Sequence, residues 1–351
     1  RELPLRSLTV IEVEKLRSTL LSLTSLIDID TGSMAIVCIF FLLHFSSSLT
    51  KLPAGLSPYA RRTAKESDVQ GSFRSLATVA IQTATKDKIM LQELEFPPLI
   101  GGRLSKTQYD DFDNVSELNA NADFGMQLIA TLASEPRSRS WIVFPDLREC
   151  QVAGENWPGK SFQAVTKTTI EDALNTLDVS NKRYVKPWGS TIASTVNGAF
   201  GNGQLLGDEA SKTPLTSENT PPDMIVGVQP GNGGPVEDWI NFEQMSECVL
   251  QDCPLILING ALDKIRSGYY PNFFFPKLAK TVDRFYRRFE QVLYLKPISE
   301  KGVVGWIFRV YPEPFQVLRE VVKEGDVVYD LVGTFERKPT YSQVVDLLIA
   351  K

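Results

Sequence analysis

Three segments decide how this chain folds: Asp223-Met-Ile-Val-Gly-Val228, Gln229-Pro-Gly-Asn-Gly-Gly-Pro235 and Leu255-Ile-Leu-Ile258-Asn259-Gly260. The first and third are near-continuous apolar runs of strand length, a pattern that suits strands covered on both faces. Between them a glycine-rich turn leads into a helix expected over residues 235–250, with Pro235 at the first helical position, where its missing N–H costs nothing. Strand, turn, helix and strand make the unit from which parallel sheets are built.

The same alternation extends outward. Upstream, helices are expected over 72–85, with Phe73, Leu76, Ala80 and Ile81 on one face, over 119–133 and over 170–177. Strands are expected over 89–96, ended by Pro97-Pro98, over 141–144, closed by Pro145-Asp146, and more weakly over 162–165. Downstream, a helix over 277–289 turns Leu278, Val282, Phe285, Tyr286 and Phe289 inward. Strands over 291–296, 305–311, 316–322 and 327–336 then follow too closely for crossover helices, so they read as an antiparallel meander. A last helix over 341–350 takes Thr340 as its N-cap. The expected fold is α/β, a mainly parallel doubly wound sheet with a C-terminal antiparallel meander. Residues 186–220 are rich in Gly, Asn, Ser and Thr without periodicity and read as a loop insertion. The expected organisation is a leader over 1–65 and one α/β domain over 66–351.

Of 351 residues, 43% are hydrophobic and 23% charged, an ordinary globular composition. Residues 1–65 carry eight Lys and Arg against five Asp and Glu, and residues 66–351 carry 29 against 37. An acidic body lacks the clustered cations that phosphate neutralisation needs, so nucleic acid is not an expected partner. The single histidine, His44, lies in the leader. Ser-His and Cys-His nucleophiles, His-ligated zinc and a His general base are therefore excluded from the body. Cys150, Cys248 and Cys253 have neither metal nor redox spacing and read as free thiols. No metal and no cofactor is expected.

The leader reads as an address. Ala35-Ile-Val-Cys-Ile-Phe-Phe-Leu-Leu43 has signal-peptide length and falls short of a membrane span, which needs roughly 20 residues. From Thr31 to Lys65 no Asp or Glu occurs, and Ser and basic residues are frequent, as in a transit peptide. Together they predict import into a plastid of secondary origin. Residues 1–33, upstream of Met34, are expected to be translated untranslated sequence, with an amphipathic membrane segment over 8–26 as the other reading.

Two sets of residues are candidate binding sites. Glycines before a helix N-terminus can expose N–H groups to a phosphate or carboxylate, and ligands of open α/β sheets sit beyond the strands' carboxyl ends. Asp146, Gly231, Asn232, Gly233 and Asn259 could therefore converge on one crevice. Against this, the turn is neither a P-loop nor a dinucleotide fingerprint, Pro235 removes a donor, and Asp and Asn commonly cap such turns. Tyr269, Tyr270, Phe273 and Phe274 form an aromatic-dense loop, either packed into the core or exposed for docking. Arg309, inside an apolar strand, either faces solvent or pairs with a buried carboxylate.

The run Pro276-Lys-Leu-Ala-Lys-Thr-Val-Asp-Arg-Phe-Tyr-Arg-Arg-Phe-Glu290, then Leu293-Tyr-Leu-Lys-Pro-Ile298 and Gly305-Trp-Ile-Phe-Arg-Val-Tyr-Pro312, resembles the C-terminal half of the domain-of-unknown-function 1995 family. Val143-Phe-Pro-Asp146 and Leu257-Ile-Asn259 fall in that family's order, and the resemblance covers about residues 72–351. Phe315 stands where the family's Tyr-Pro motif is expected to be followed by Trp. The resemblance implies a plastid protein akin to low-photosystem-II-accumulation assembly factors, and it brings no catalytic residues. It implies photosystem or other thylakoid membrane proteins as partners, with the chain peripheral to the membrane, in the stroma or at the stromal face. The expected function is thus non-enzymatic, binding or assisting assembly of photosystem complexes. The alternative is a nucleotide- or phosphate-ligand-binding regulatory domain.

Overall fold

A computed structural model of the chain describes residues 66–97, 99–100, 103–104, 114–133, 139–177, 184–185, 221–231, 234–249, 251–300, 302–323 and 326–350. The leader and the 186–220 insertion lie outside the described residues. The strands are β1 (Leu91–Glu95), β2 (Leu99–Ile100), β3 (Arg103–Leu104), β4 (Ser140–Phe144), β5 (Thr166–Thr169), β6 (Met224–Val228), β7 (Leu255–Ile258), β8 (Glu290–Glu300), β9 (Val303–Val310), β10 (Phe315–Lys323) and β11 (Asp326–Phe335). The helices are α1 (Glu66–Lys86), α2 (Asn114–Leu132), α3 (Leu147–Asn156), α4 (Lys160–Gln163), α5 (Ile170–Thr176), α6 (Glu237–Ser246), α7 (Leu262–Arg266), α8 (Pro276–Arg284) and α9 (Tyr341–Ile349).

Among the described residues, nine strands form one sheet in the order β11-β10-β9-β8-β1-β7-β6-β4-β5, and β2 pairs with β3. From β8 through β1, β7, β6 and β4 to β5 all neighbours run parallel. From β8 through β11 they run antiparallel. The quoted strand–turn–helix–strand unit is β6, α6 and β7, two neighbouring parallel strands with every residue buried. Burial on both faces explains why neither strand alternates in polarity.

Helices α1, α2 and α3 cover one face, packing Phe73, Phe124, Leu128 and Ala153 on Ile142, Phe144, Val226 and Ile256. Phe96 meets Phe73 at 5.0 Å and Phe124 at 4.7 Å between ring centroids. Helices α5, α6, α7 and α8 cover the other face, where Ile170, Trp239, Phe242, Leu262 and Val282 meet Trp141, Val143, Ile225 and Leu257. A Cβ on Gly227 would lie 2.6 Å from the Phe242 ring, so glycine is what lets α6 press onto the sheet. Helix α9, opened by a Thr340–Gln343 capping box, lays Val344, Val345 and Leu348 on the meander.

Three sequence expectations need correction. The strand expected over 162–165 is instead the short helix α4, and the edge strand starts at Thr166, where β-branched threonines take over. Helix α3 was not anticipated because Ala153 is its only buried residue, which leaves almost no apolar period to read. The helix expected over 277–289 stops at Arg284 and continues as a 3-10 turn, Tyr286–Arg288. That turn swings Tyr286 wholly into the core, where its hydroxyl donates to the Trp239 carbonyl oxygen at 2.7 Å.

Candidate functional site

The connections after β1 and β4 run through α2 and α3 on one face, and those after β6 and β7 run through α6 to α8 on the other. Neighbouring strands therefore part company at two places, between β4 and β6 and between β1 and β7. Such points open the crevices in which doubly wound folds hold ligands.

At the first point the described residues of the turn pack on their own chain. Gly231 has φ +65, and a Cβ there would lie 2.6 Å from the Trp239 indole, so the turn closes directly onto that ring. The indole Nε1 donates to the Gly260 carbonyl oxygen at 3.0 Å, tying the β6 turn to the β7 turn. The backbone N–H of Gly231 bonds the carboxyl of Asp238, in the first turn of α6. An intramolecular carboxyl thus takes the place that an anionic ligand would need. Burial pushes Asp238 up to about 7, with Glu237 and Asp146 adding repulsion and the Gly231 bond opposing the rise. Asp146 is exposed and caps α3, accepting from the Glu149 N–H at 2.9 Å. Asn232 and Gly233 lie outside the described residues.

Asn259 belongs to a relay of amides that crosses the strand ends beneath α2. Its Oδ1 accepts from the Phe96 N–H at 2.9 Å, and its Nδ2 donates to Asn121 Oδ1 at 2.7 Å. Asn121 Nδ2 donates to Gln229 Oε1 at 2.9 Å, and Gln229 Nε2 to Glu117 Oε1 at 3.1 Å. Gln229 and Asn259 both adopt φ +49, the left-handed conformation that aims their side chains back over the sheet. All four side chains are buried, and burial also raises the Glu117 carboxyl above its usual range. The relay fixes the ends of β1, β6 and β7 to one helix.

On the opposite face at the second point lies a set of charges that belongs to neither of the candidate sites named from the sequence. Glu93 is wholly buried in central strand β1, and Arg266 pairs with it at 2.6 Å while bonding the Tyr286 carbonyl oxygen. Burial pushes the Glu93 carboxyl up against the pull of Arg266. Two residues on, Glu95 has Oε2 buried without a hydrogen-bond partner. Its carboxyl is pushed up to about 8, first by burial and then by Glu93 and Asp263, against Lys296 and Lys338. Asp263 accepts from Tyr294 Oη at 2.8 Å and pairs with Lys338, with Lys296 at 3.7 Å. A carboxyl held neutral at pH 7 can donate a hydrogen bond or release a proton near neutrality. The available signal was a strand reading Leu-Gln-Glu-Leu-Glu, whose acids contradict its central position. Among the described residues no group of three or more His, Cys, Asp or Glu is placed to hold a metal ion.

The aromatic loop is split. Tyr270 packs on Trp239 at 5.5 Å and on Phe275 at 5.3 Å between ring centroids. Tyr269, Phe273 and Phe274 are 65%, 89% and 71% exposed. Arg309 is buried, pairs with Glu290 at 2.6 Å and lies 4.7 Å over the Phe315 ring. Among the described residues no cysteine forms a disulfide, and burial pushes Cys150 up to about 11 and Cys253 to about 12.

Fold and strand ends together define a doubly wound α/β protein whose β1, β6 and β7 ends are tied to one another by buried side chains. The chain belongs to the DUF1995 family: the model described as "Domain of unknown function (DUF1995)" matches residues 72–346. No curated protein matches it, and neither does any solved structure.

Proposed function

We propose that this chain is a non-enzymatic plastid protein that binds photosystem complexes, or assists their assembly, at the stromal face of the thylakoid. The observation that carries the binding role is the turn at Gly231, which packs on Trp239 and bonds Asp238 of its own chain. A turn satisfied from within the chain favours this reading over the nucleotide-binding alternative, and the exposed aromatics of residues 269–274 lie outside that turn. The plastid and the photosystem rest on the composition of residues 1–65 and on the family resemblance of the C-terminal half.

Native purification of thylakoid complexes, followed by mass spectrometry for peptides of residues 66–351, tests the reading. Comigration with photosystem particles is the expected result, and its stoichiometry separates a subunit from a transient factor. Recovery solely in the soluble stroma, with a nucleotide raising the melting temperature, would replace it with the ligand-binding alternative.

A further inference from the structure

Residues 264–288 invert the charge of the body. They hold seven Lys and Arg against the single acid Asp283, whereas the rest of residues 66–351 holds 22 against 36. The structure shows where these cations go. Helix α8 buries Leu278, Thr281 and Val282 and turns Lys277, Lys280, Asp283 and Arg284 outward. Arg284 is taken by Glu243 and Arg287 by Asp283, but Lys277, Lys280 and Arg288 have no carboxylate partner among the described residues. Immediately before the helix, a turn closed by Phe274 N–H to Pro271 O at 3.0 Å lifts Phe273 and Phe274 into solvent. Their rings meet edge to face, 5.3 Å apart at 82°. Beside them Lys264 Nζ sits 4.6 Å over the Tyr269 ring. A helical rise of about 1.5 Å per residue keeps Lys277 and Lys280 within roughly 10 Å of these aromatics along the axis.

We propose that this surface docks the protein on a bilayer carrying anionic lipid, with Phe273 and Phe274 entering the headgroup boundary and Lys277 and Lys280 resting on it. Protruding aromatics beside unpaired cations match an interface that is apolar just below a layer of negative charge. A protein partner would need a pocket for the two most exposed rings, whereas a fluid interface accepts them as they stand. Nucleic acid would stack on ring faces, and here the two rings turn edge to face, which leaves no flat platform. Long lysine stems suit this position because they keep their charge at headgroup level while their methylenes cover apolar surface. The inference rests on the proposed function solely in placing the chain at a membrane, and vesicle binding can fail while photosystem comigration holds, or the reverse.

The test is flotation of the full chain with vesicles of phosphatidylcholine alone and of phosphatidylcholine with about 30% phosphatidylglycerol, at low and high salt. Binding to the anionic vesicles is expected, and it weakens as salt shortens the Debye length from about 10 Å at 0.1 M to about 3 Å at 1 M. Lys277→Gln/Lys280→Gln should lower partition about 25-fold, at roughly fivefold per cation. Phe273→Ser/Phe274→Ser should lower it by roughly 100-fold. All four side chains are exposed, so circular dichroism and melting should match the parent. Absence of binding to anionic vesicles overturns the proposal. So does binding that both variants retain, which would assign it to the leader. So does loss, in the same variants, of an oligonucleotide or a cross-linked thylakoid protein without vesicle binding.

Discussion

Glu95→Gln should make the protein more stable in alkaline solution and leave it unchanged in acid. Glu95 sits on central strand β1 with one carboxyl oxygen buried and unpartnered, facing Glu93 and Asp263 as like charges and Lys296 and Lys338 as opposing ones. Its carboxyl rises from 4.5 to about 8 on folding. An acid with a raised folded pKa binds its proton more tightly in the native state, so it costs nothing below about pH 4.5. The cost grows as pH climbs through this window and is complete above about pH 8. At about 1.4 kcal/mol per pH unit, the ceiling is about 5 kcal/mol. Glu95 is only half-buried as a residue, so relaxation and entering water reduce the expected cost to about 2–3 kcal/mol. Glutamine has the shape of the protonated acid and never ionises. Urea unfolding of both proteins at about pH 4 and about pH 8.5 should give nearly coincident midpoints in acid and a higher midpoint for the variant in base, with equal slopes. Asp238, raised to about 7, adds the same slope to both proteins and cancels in the comparison. Midpoints that stay equal at alkaline pH would refute the claim that Glu95 is folded in its neutral form.

Other consequences are as direct. Asn121→Ala removes the middle of the amide relay and leaves Asn259 Nδ2 and Gln229 Oε1 without Asn121. At about 1–3 kcal/mol per orphaned group, a loss of about 2–4 kcal/mol in urea stability is expected. Gly231→Ala combines φ +65 with a methyl 2.6 Å from the Trp239 ring, so it should cost about 2–4 kcal/mol and alter the near-ultraviolet signal of that indole. Cys150 and Cys253, held near 11 and 12, should resist alkylation at pH 8 while the protein is native and react once denaturant opens the core. Native alkylation of Cys253 would mean that the end of α6 opens readily.

Legibility followed burial. Strands β4, β6 and β7 were plain in the sequence because both faces are covered and nearly every residue must be apolar. The meander was plain because its strands follow one another with no length for a helix between them. Helix α3, with one buried residue, offered no period, and the site was harder still. Asp146 and Asn259 have the residue types of ligand-holding turns, and the same types serve to cap α3 and to bridge β1 to α2. Composition cannot separate those uses, because both need an oxygen aimed at a backbone N–H.

The sequence by itself determined the α/β class, the parallel half and the antiparallel end, the absence of histidine from residues 66–351, and the family resemblance. These depend on local period, chain length between elements, and counts. Only the tertiary structure decided that Trp239 and Asp238 fill the Gly231 turn, that Asn259, Asn121, Gln229 and Glu117 join into one relay, and that Glu93 and Glu95 face Asp263 and Lys338. The partners in these sets come from segments far apart in the chain, as in the Glu93–Arg266 pair, 173 residues apart. Distances across such separations are set by which strands become neighbours, and that order, with β1 inserted between β7 and β8, is written in no local stretch of the chain.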